Sequence, residues 1–488
     1  MAFAVPLILR GEIISDDPVD FGGRRGDAGF TAPDPAAHLD RLTLATPSAM
    51  ADLYALSFDE IVDYLDRLGR RLDPADNCWL QEAYELSRVT SGLSDPILRH
   101  HYALIPHYFA PDAVRAIAER TIGVDYLEGW VEQPALGEGK VRIRAIGARA
   151  VHVIAGNVPV VGVTTLIRNA ITRSDAIIKT PSNDPLTTAA VVRTMIDVAP
   201  DHPITRHVSV AYWKGGDERI EARLYDPRRI EKIVAWGGFA GIKHLTRYLQ
   251  PGLDLITLDP KHSGSLIGRE AFADEATLRA VARRLAVDIG AMNQEGCVNA
   301  RIVHVESGCD AAGLARAERL GELVFAALQA LPEQLSTPHK AFDPELRAEI
   351  DALAFADDEY RVFGGRGSEG AVIVSRSDRP VDFARMLACR VANIVPVDDV
   401  ETAVRSVTSY TQTIGIYPEA LKERLRDRLA FQGAQRLVSL GGAATLNQTP
   451  GPQDGIEPLR RMVKWIVDES GDPALLEAQA VTAASAAI

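Results

Sequence analysis

The sequence predicts an α/β protein built from two open, doubly wound domains. Three observations carry this. From Arg149 onward, apolar β-rich runs alternate with segments of helical period, the signature of βαβ units and a mostly parallel sheet. A second series of the same kind begins near Leu266. The 488 residues are also long enough for two or three domains, each with its own core.

Up to about residue 125 the chain reads as helices: Phe58 to Leu72, Cys78 to Val89, Asp95 to Tyr108 and Pro111 to Thr121. Gly and Pro breaks between Gly123 and Ala148 then predict an excursion or hairpin. Strands follow at Ala150 to Ala155, Ala176 to Lys179, Val208 to Trp213 and Ile230 to Trp236, each leading into a helical stretch. The second series reads as helix Asp274 to Met292, strand Arg301 to Val305, helix Asp310 to Leu331, strands Ala371 to Val374 and Asn393 to Val397, and helix Asp398 to Tyr410. After Arg436 come a Gly- and Pro-rich stretch, a helix from Glu457 to Val467 and an Ala-rich tail.

Charge narrows the partners. The formal net charge is −13, which argues against nucleic acid or an anionic membrane surface, since both call for a basic face. No stretch approaches the roughly 18 apolar residues of a membrane span, and the start lacks a basic segment and a cleavage pattern, so neither insertion nor export is expected. Cys78, Cys297, Cys309 and Cys389 lie far apart without a CxxC pair, which fits a reducing cytoplasm and predicts no metal site.

Five segments carry residues suited to chemistry. In NQEGCVN, Cys297 follows Gly296 and has polar amides nearby, leaving room for a ligand at its sulfur; a small buried apolar cysteine is the plainer reading. In VIAGNVP, a strand ends at Gly156 and Asn157, where a side-chain amide can reach the crevice and hold an oxyanion, or simply cap the turn. Lys179, Thr180 and Ser182 of KTPS follow a strand and suit a ribose or phosphate, against a snorkelling lysine. Trp236, Gly237 and Gly238 form a βα turn open to a pyrophosphate, although it is not GxGxxG. His262, in LDPKHSGSLIG, has an unperturbed pKa near neutrality and is the candidate for proton transfer, or an exposed loop histidine.

Taken in order, GNVP, KTPS, AWGG, PKHSG and NQEGC resemble the aldehyde dehydrogenase superfamily, and more closely its LuxC-type branch of fatty acyl-CoA reductases. SNDP, TIGIY, AQRLVSLG and QDGIEPLRRMVKWIV extend the resemblance from about residue 100 to 470. It implies an aldehyde dehydrogenase-like fold: residues 1–122 and 149–260 as helical cap plus dinucleotide-binding domain, 261–440 as catalytic cysteine domain, and 123–148 with 441–488 as a small oligomerisation and C-terminal element. A homo-oligomer is implied.

The resemblance makes Cys297 the nucleophile, with Asn157 and the Cys297 N–H as oxyanion hole, and places Lys179 at the adenosine ribose and Gly237 and Gly238 under the dinucleotide. Ser182 stands where NAD-preferring relatives carry a glutamate, which favours NADPH over NADH. Hydrolytic relatives carry two glutamates about where this chain reads PKHSG and CRVANIVPV, and neither is present. The resemblance therefore implies reduction of an acyl-CoA, or another activated acyl group handed over by a partner enzyme, to an aldehyde through an acyl-cysteine. The same site would allow the reverse, CoA-acylating direction. The competing readings are a hydrolytic NAD(P)-dependent aldehyde dehydrogenase, a cofactor-free cysteine acyltransferase or thioesterase, and a scaffold without catalysis.

Overall fold

The computed structural model describes residues 3–22, 29–135, 140–258, 261–444 and 451–469. Asp259 and Pro260 of LDPKHSG, residues 136–139 of the excursion, residues 445–450 of the Gly- and Pro-rich stretch and the tail from 470 lie outside the described residues.

A seven-stranded sheet runs in the order Asp254–Leu258, Lys232–Trp236, Arg149–Val153, Asp175–Lys179, Val208–Ala211, Leu7–Leu9, Glu12–Ile14. The first five strands are parallel and the N-terminal pair adds antiparallel. Chain order reverses between Lys232–Trp236 and Arg149–Val153, so the crevice beyond the carboxyl ends of these two strands is where such a sheet takes a ligand. The GNVP and AWGG segments both leave from those ends.

The all-helical reading of the first 125 residues needs correction. Leu7–Leu9 and Glu12–Ile14 are sheet strands, and Phe3–Ala4, Pro18–Phe21 and Phe30–Pro33 form a further small sheet. Strands of two to four residues are too short to show a period of two. The four predicted helices are present as Phe58–Arg70, Cys78–Thr90, Asp95–Leu104 and Pro111–Thr121, the first closed by a reciprocal Ser57–Glu60 capping box. Their buried faces share one core with the helices Val160–Thr172 and Thr187–Val198, so the helical cap is welded onto the first sheet.

A second seven-stranded sheet runs in the order Tyr360–Gly364, Ala371–Ser375, Val391–Pro396, Ala300–Val305, His262–Ile267, Thr411–Tyr417, Arg436–Ser439, parallel except for its first pair. Tyr360–Gly364, Thr411–Tyr417 and Arg436–Ser439 were not anticipated as strands, and His262 opens a strand instead of sitting in a loop. The helix expected over Asp398 to Tyr410 spans only Val400–Ser406. The strand His262–Ile267 slips register against both neighbours, with Arg301 as the extra residue on one side and an extra residue between Thr411 and Ile414 on the other. Such bulges bend a strand and re-aim side chains.

The excursion and the C-terminus meet in a three-stranded antiparallel sheet, Val463–Glu469, Lys140–Gly147, Val131–Pro134. The helix expected over Glu457 to Val467 is therefore only Pro458–Met462, and VKWIVDE pairs with residues 141–147. Sheet pairing overrides the local pattern of a segment rich in β-branched and aromatic residues.

Gly264 sits between the two bulges, and a Cβ there would lie 2.6 Å from the Ile302 carbonyl oxygen. Gly264→Ala is expected to cost about 2 kcal/mol through overpacking and to disturb Arg301 beside it. A lowered urea midpoint of the purified variant checks this; an unchanged midpoint would contradict the close approach.

Candidate active site

The loop that carries Cys297 is strained and pinned. The helix Glu275–Gly290 ends, and Met292, Asn293 and Gln294 then adopt consecutive left-handed conformations, φ 53°, 51° and 65°. For non-glycine residues this costs of order 1 kcal/mol each, so the surroundings must hold it. Asn293 Oδ1 accepts from Thr337 N at 2.8 Å. Gln294 Nε2 donates to the Ala300 and Val391 carbonyls at 2.8 and 3.0 Å, and its Oε1 accepts from Val391 N at 2.9 Å. Asn299 Nδ2 donates to the Ala291 carbonyl at 3.0 Å and its Oδ1 accepts from Gly296 N at 3.0 Å. The amides of NQEGCVN are thus fully buried staples rather than room for a ligand.

Cys297 itself is half-buried at the amino ends of the central strands of the second sheet. Ser263 Oγ donates to its carbonyl at 2.7 Å and accepts from Thr413 N at 3.1 Å. Gln412 Nε2 donates to Cys297 Sγ at 3.2 Å and also to Asp454. Burial pushes the thiol pKa up; Gln412 opposes this, Asp454 adds to it, and Arg301 and the Cys297 N–H oppose it, leaving the value raised.

The first sheet supplies the opposite wall. Asn157 Nδ2 donates to the Glu295 carbonyl at 3.0 Å, two residues from the thiol, so the loops of the two sheets touch where an oxyanion hole would lie. Glu295 is fixed in turn by His339 Nε2, 3.0 Å from its Oε1. Gly156 lies against Asn183 and Pro181, where a Cβ would come within 2.4 Å of Asn183 Oδ1, so its hydrogen is needed for packing. At Gly237 and Gly238 a Cβ would meet nothing within 4 Å, which leaves the backbone open to a ligand beside Trp236.

Lys179 lies under aromatic rings, its Nζ 5.5 Å from the Trp213 centroid and 5.8 Å from that of Tyr212. Burial lowers its pKa to about 8, against a smaller opposing pull from Glu221. Thr180 is fully buried and its Oγ1 has no partner among the described residues. Ser182 is half-buried beside them. A desolvated ammonium, an orphaned hydroxyl and an open glycine turn along one crevice fit a polar, anionic dinucleotide.

His262 is exposed, and its backbone N–H donates to the Tyr410 carbonyl at 2.9 Å. Partial burial, then Arg301 and Arg385, lower its pKa, which disfavours the imidazolium form. The residues that sequence reasoning missed are Ser263, Arg301, Gln412 and Asp454 at the thiol, and Arg168. Buried Arg168 donates to Gln453 Oε1 at 2.8 Å, with its guanidinium 5.4 Å from the Trp236 ring centroid. The signal was present: Gln412 adjoins TIGIY and Asp454 lies in QDGIEPL, two segments recognised without a role. Among the described residues no cluster of His, Cys, Asp or Glu could hold a metal ion, and no helix is long and apolar enough to cross a membrane.

Gln294→Ala removes three buried hydrogen bonds from the strained loop. Stability is expected to fall by about 2 kcal/mol and Cys297 alkylation to lose its dependence on a defined environment. Denaturant titration and site-resolved alkylation read both; unchanged behaviour would show that the loop holds its shape without this staple.

Comparisons with known proteins identify the family and the fold. The profile of the family Acyl-CoA reductase (LuxC) matches residues 53–465. A long-chain acyl-protein thioester reductase of Aliivibrio fischeri is 28% identical over 452 residues, covering 88% of this chain and 87% of its own. One of Vibrio harveyi is 26% identical over 473 residues, covering 95% and 93%. Among solved structures, lactaldehyde dehydrogenase from Escherichia coli superposes with a TM-score of 0.71 at 14% identity, over 96% of this chain and 99% of that one. NADP-dependent glyceraldehyde-3-phosphate dehydrogenase from Bacillus halodurans gives 0.71 at 14% identity over the same shares, a likeness of fold. With the profile spanning most of the chain, this protein has the aldehyde dehydrogenase fold and belongs to the LuxC family of acyl-CoA reductases.

Proposed function

We propose that this chain reduces a long-chain acyl thioester to the aldehyde through an acyl group carried on Cys297, with NADPH as the reductant. One observation carries the reading: Asn157 of the first sheet is hydrogen-bonded onto the loop of Cys297, two residues from the thiol. The relatives' name, long-chain acyl-protein thioester reductase, and the family's, acyl-CoA reductase, both support a thioester substrate. The sulfur of the donor belongs either to CoA or to an acyl-bearing partner protein.

The sulfur of Cys297 attacks the acyl carbonyl carbon while the π electrons move to oxygen. Asn157 Nδ2 exchanges the Glu295 carbonyl for this oxyanion and, with the Cys297 N–H, donates to it. Collapse expels the donor thiolate and leaves the acyl-cysteine. A nicotinamide cofactor held along Lys179, Thr180, Trp236, Gly237 and Gly238 would supply the hydride that the acyl carbon needs. The same two donors hold the second oxyanion, and its collapse to the aldehyde returns the C–S electron pair to Cys297. His262, whose imidazolium form is disfavoured, is better suited to receiving the thiol proton than to giving one. The reverse direction, aldehyde oxidation with a thiol acceptor, follows by microscopic reversibility.

NADPH is favoured because Ser182 puts no carboxylate near Lys179 from the KTPS segment. Glu221, the nearby acid, is already engaged by Trp213 Nε1 at 3.2 Å, Gly216 N at 3.1 Å and His244 Nε2 at 2.6 Å. Hydrolysis is disfavoured because the carboxylate next to the thiol, Asp454, reaches it only through the Gln412 amide. Lys179, Thr180, Trp236, Gly237 and Gly238 line the proposed cofactor crevice. The edge strand Val463–Glu469 exposes Ile466 and Val467 and supports a homo-oligomer joined through the small sheet. Together with a soluble cytoplasmic location, this completes the reading.

NADPH oxidation and thiol release from a panel of acyl-CoAs test it. Both are expected in equal amounts and both are lost in Cys297→Ala; thiol release that continues at the same rate without NADPH would point to a transferase or thioesterase. Asn157→Ala is expected to lower kcat about 100-fold, and Ser182→Glu to shift preference from NADPH towards NADH. Because the thiol is raised, acylation should accelerate with pH beyond the ordinary thiol range; a profile flat above neutrality would contradict it.

A further inference from the structure

Gln412 is buried, 4% exposed, on the bulged segment of Thr411–Tyr417. The extra residue between Thr411 and Ile414 aims its amide away from regular sheet pairing and towards Cys297. One nitrogen serves two acceptors, Sγ at 3.2 Å and the Asp454 carboxylate, while Oε1 is buried without a partner among the described residues. Asp454 is itself anchored: Lys261 Nζ donates to its carbonyl at 3.4 Å, and its neighbour Gln453 is held by Arg168. The other charged groups facing this site are Arg301 on Ala300–Val305, Arg436 on Arg436–Ser439 and Arg168 on Val160–Thr172.

We propose that Gln412 is a catalytic residue, whose amide N–H solvates the Cys297 sulfur as thiolate, and that Asp454, joined to the same amide, opposes that charge and keeps the resting sulfur a thiol. This rests on Cys297 being the nucleophile. In the final collapse the C–S bond breaks, its electron pair returns to sulfur, and the carbonyl π bond of the aldehyde forms, with nothing oxidised or reduced in that step. The leaving sulfur is then an anion in a water-poor site, and the amide at 3.2 Å is the neutral side-chain donor placed to meet it. The same bond favours attack in the first step. The amide serves both steps, because it donates to the sulfur whenever charge develops there.

The test reads the thiol and needs no substrate. The rate of Cys297 alkylation by iodoacetamide is followed against pH by peptide mass spectrometry on the full chain, for wild type, Gln412→Met and Asp454→Asn. Gln412→Met keeps the length and removes the donor, and its alkylation midpoint should rise by about one pH unit, roughly a tenfold loss of rate at neutral pH. Asp454→Asn keeps an oxygen for the amide and removes the charge, and its midpoint should fall. An unchanged midpoint in a folded Gln412→Met would overturn the proposal. If that variant does not fold, a midpoint that stays or rises in Asp454→Asn overturns it. Absence of thioester reduction by the wild type, with these shifts present, would instead count against the proposed function.

Discussion

The site depends on one constraint: three consecutive left-handed residues before Cys297, held open by buried amides. A helix that simply ended at Gly290 would leave the cysteine pointing along the sheet edge. The reversal at Met292, Asn293 and Gln294 instead turns the chain back, and the Glu295 carbonyl that follows it meets Asn157 of the first sheet. Because the conformation is unfavourable locally, each carboxamide in NQEGCVN is used structurally, and Cys389 and Arg390, also left-handed, precede Val391, whose N–H and carbonyl both bind Gln294. The two left-handed segments thus sit at the amino ends of neighbouring parallel strands and are tied together through Gln294.

The two sheets meet carboxyl end to amino end. The first offers its switch point, with GNVP and AWGG; the second offers the starts of its central strands, with Ser263, Cys297 and Gln412. The rule that ligands sit beyond carboxyl ends describes only the first wall. The second is shaped by bulges on either side of His262–Ile267, which deliver Arg301 and the Gln412 segment from strands whose regular pairing would bury them elsewhere. The C-terminal segment closes the arrangement, since Gln453 and Asp454 tie the Trp236 side to the thiol side through Arg168 and Gln412.

Much of the fold was legible because long amphipathic helices and apolar parallel strands leave clear periods. The helix Pro111–Thr121 and the strands near Ala176 and Val208 lie where the pattern put them. Leu7–Leu9 was not legible, being too short, and neither was Val463–Glu469, whose partner lies more than 300 residues earlier. In the site, Cys297 and Asn157 stood out by residue type beside glycine. Gln412 and Asp454 did not, because an amide in a strand and a carboxylate in a turn look ordinary until the bulge and the C-terminal segment bring them to the sulfur. The amides of NQEGCVN were seen but given no task of their own, since sequence does not tell a staple from a lining.

The account's central claim is that the acyl group passes through Cys297 before it is reduced. The most direct measurement mixes the full chain with a long-chain acyl-CoA in the absence of NADPH, locates the adduct by peptide mass spectrometry, and then adds NADPH. The account predicts one acyl group on Cys297 that persists until NADPH discharges it as aldehyde. An adduct on another residue, or one that leaves as free acid before NADPH is added, would contradict it.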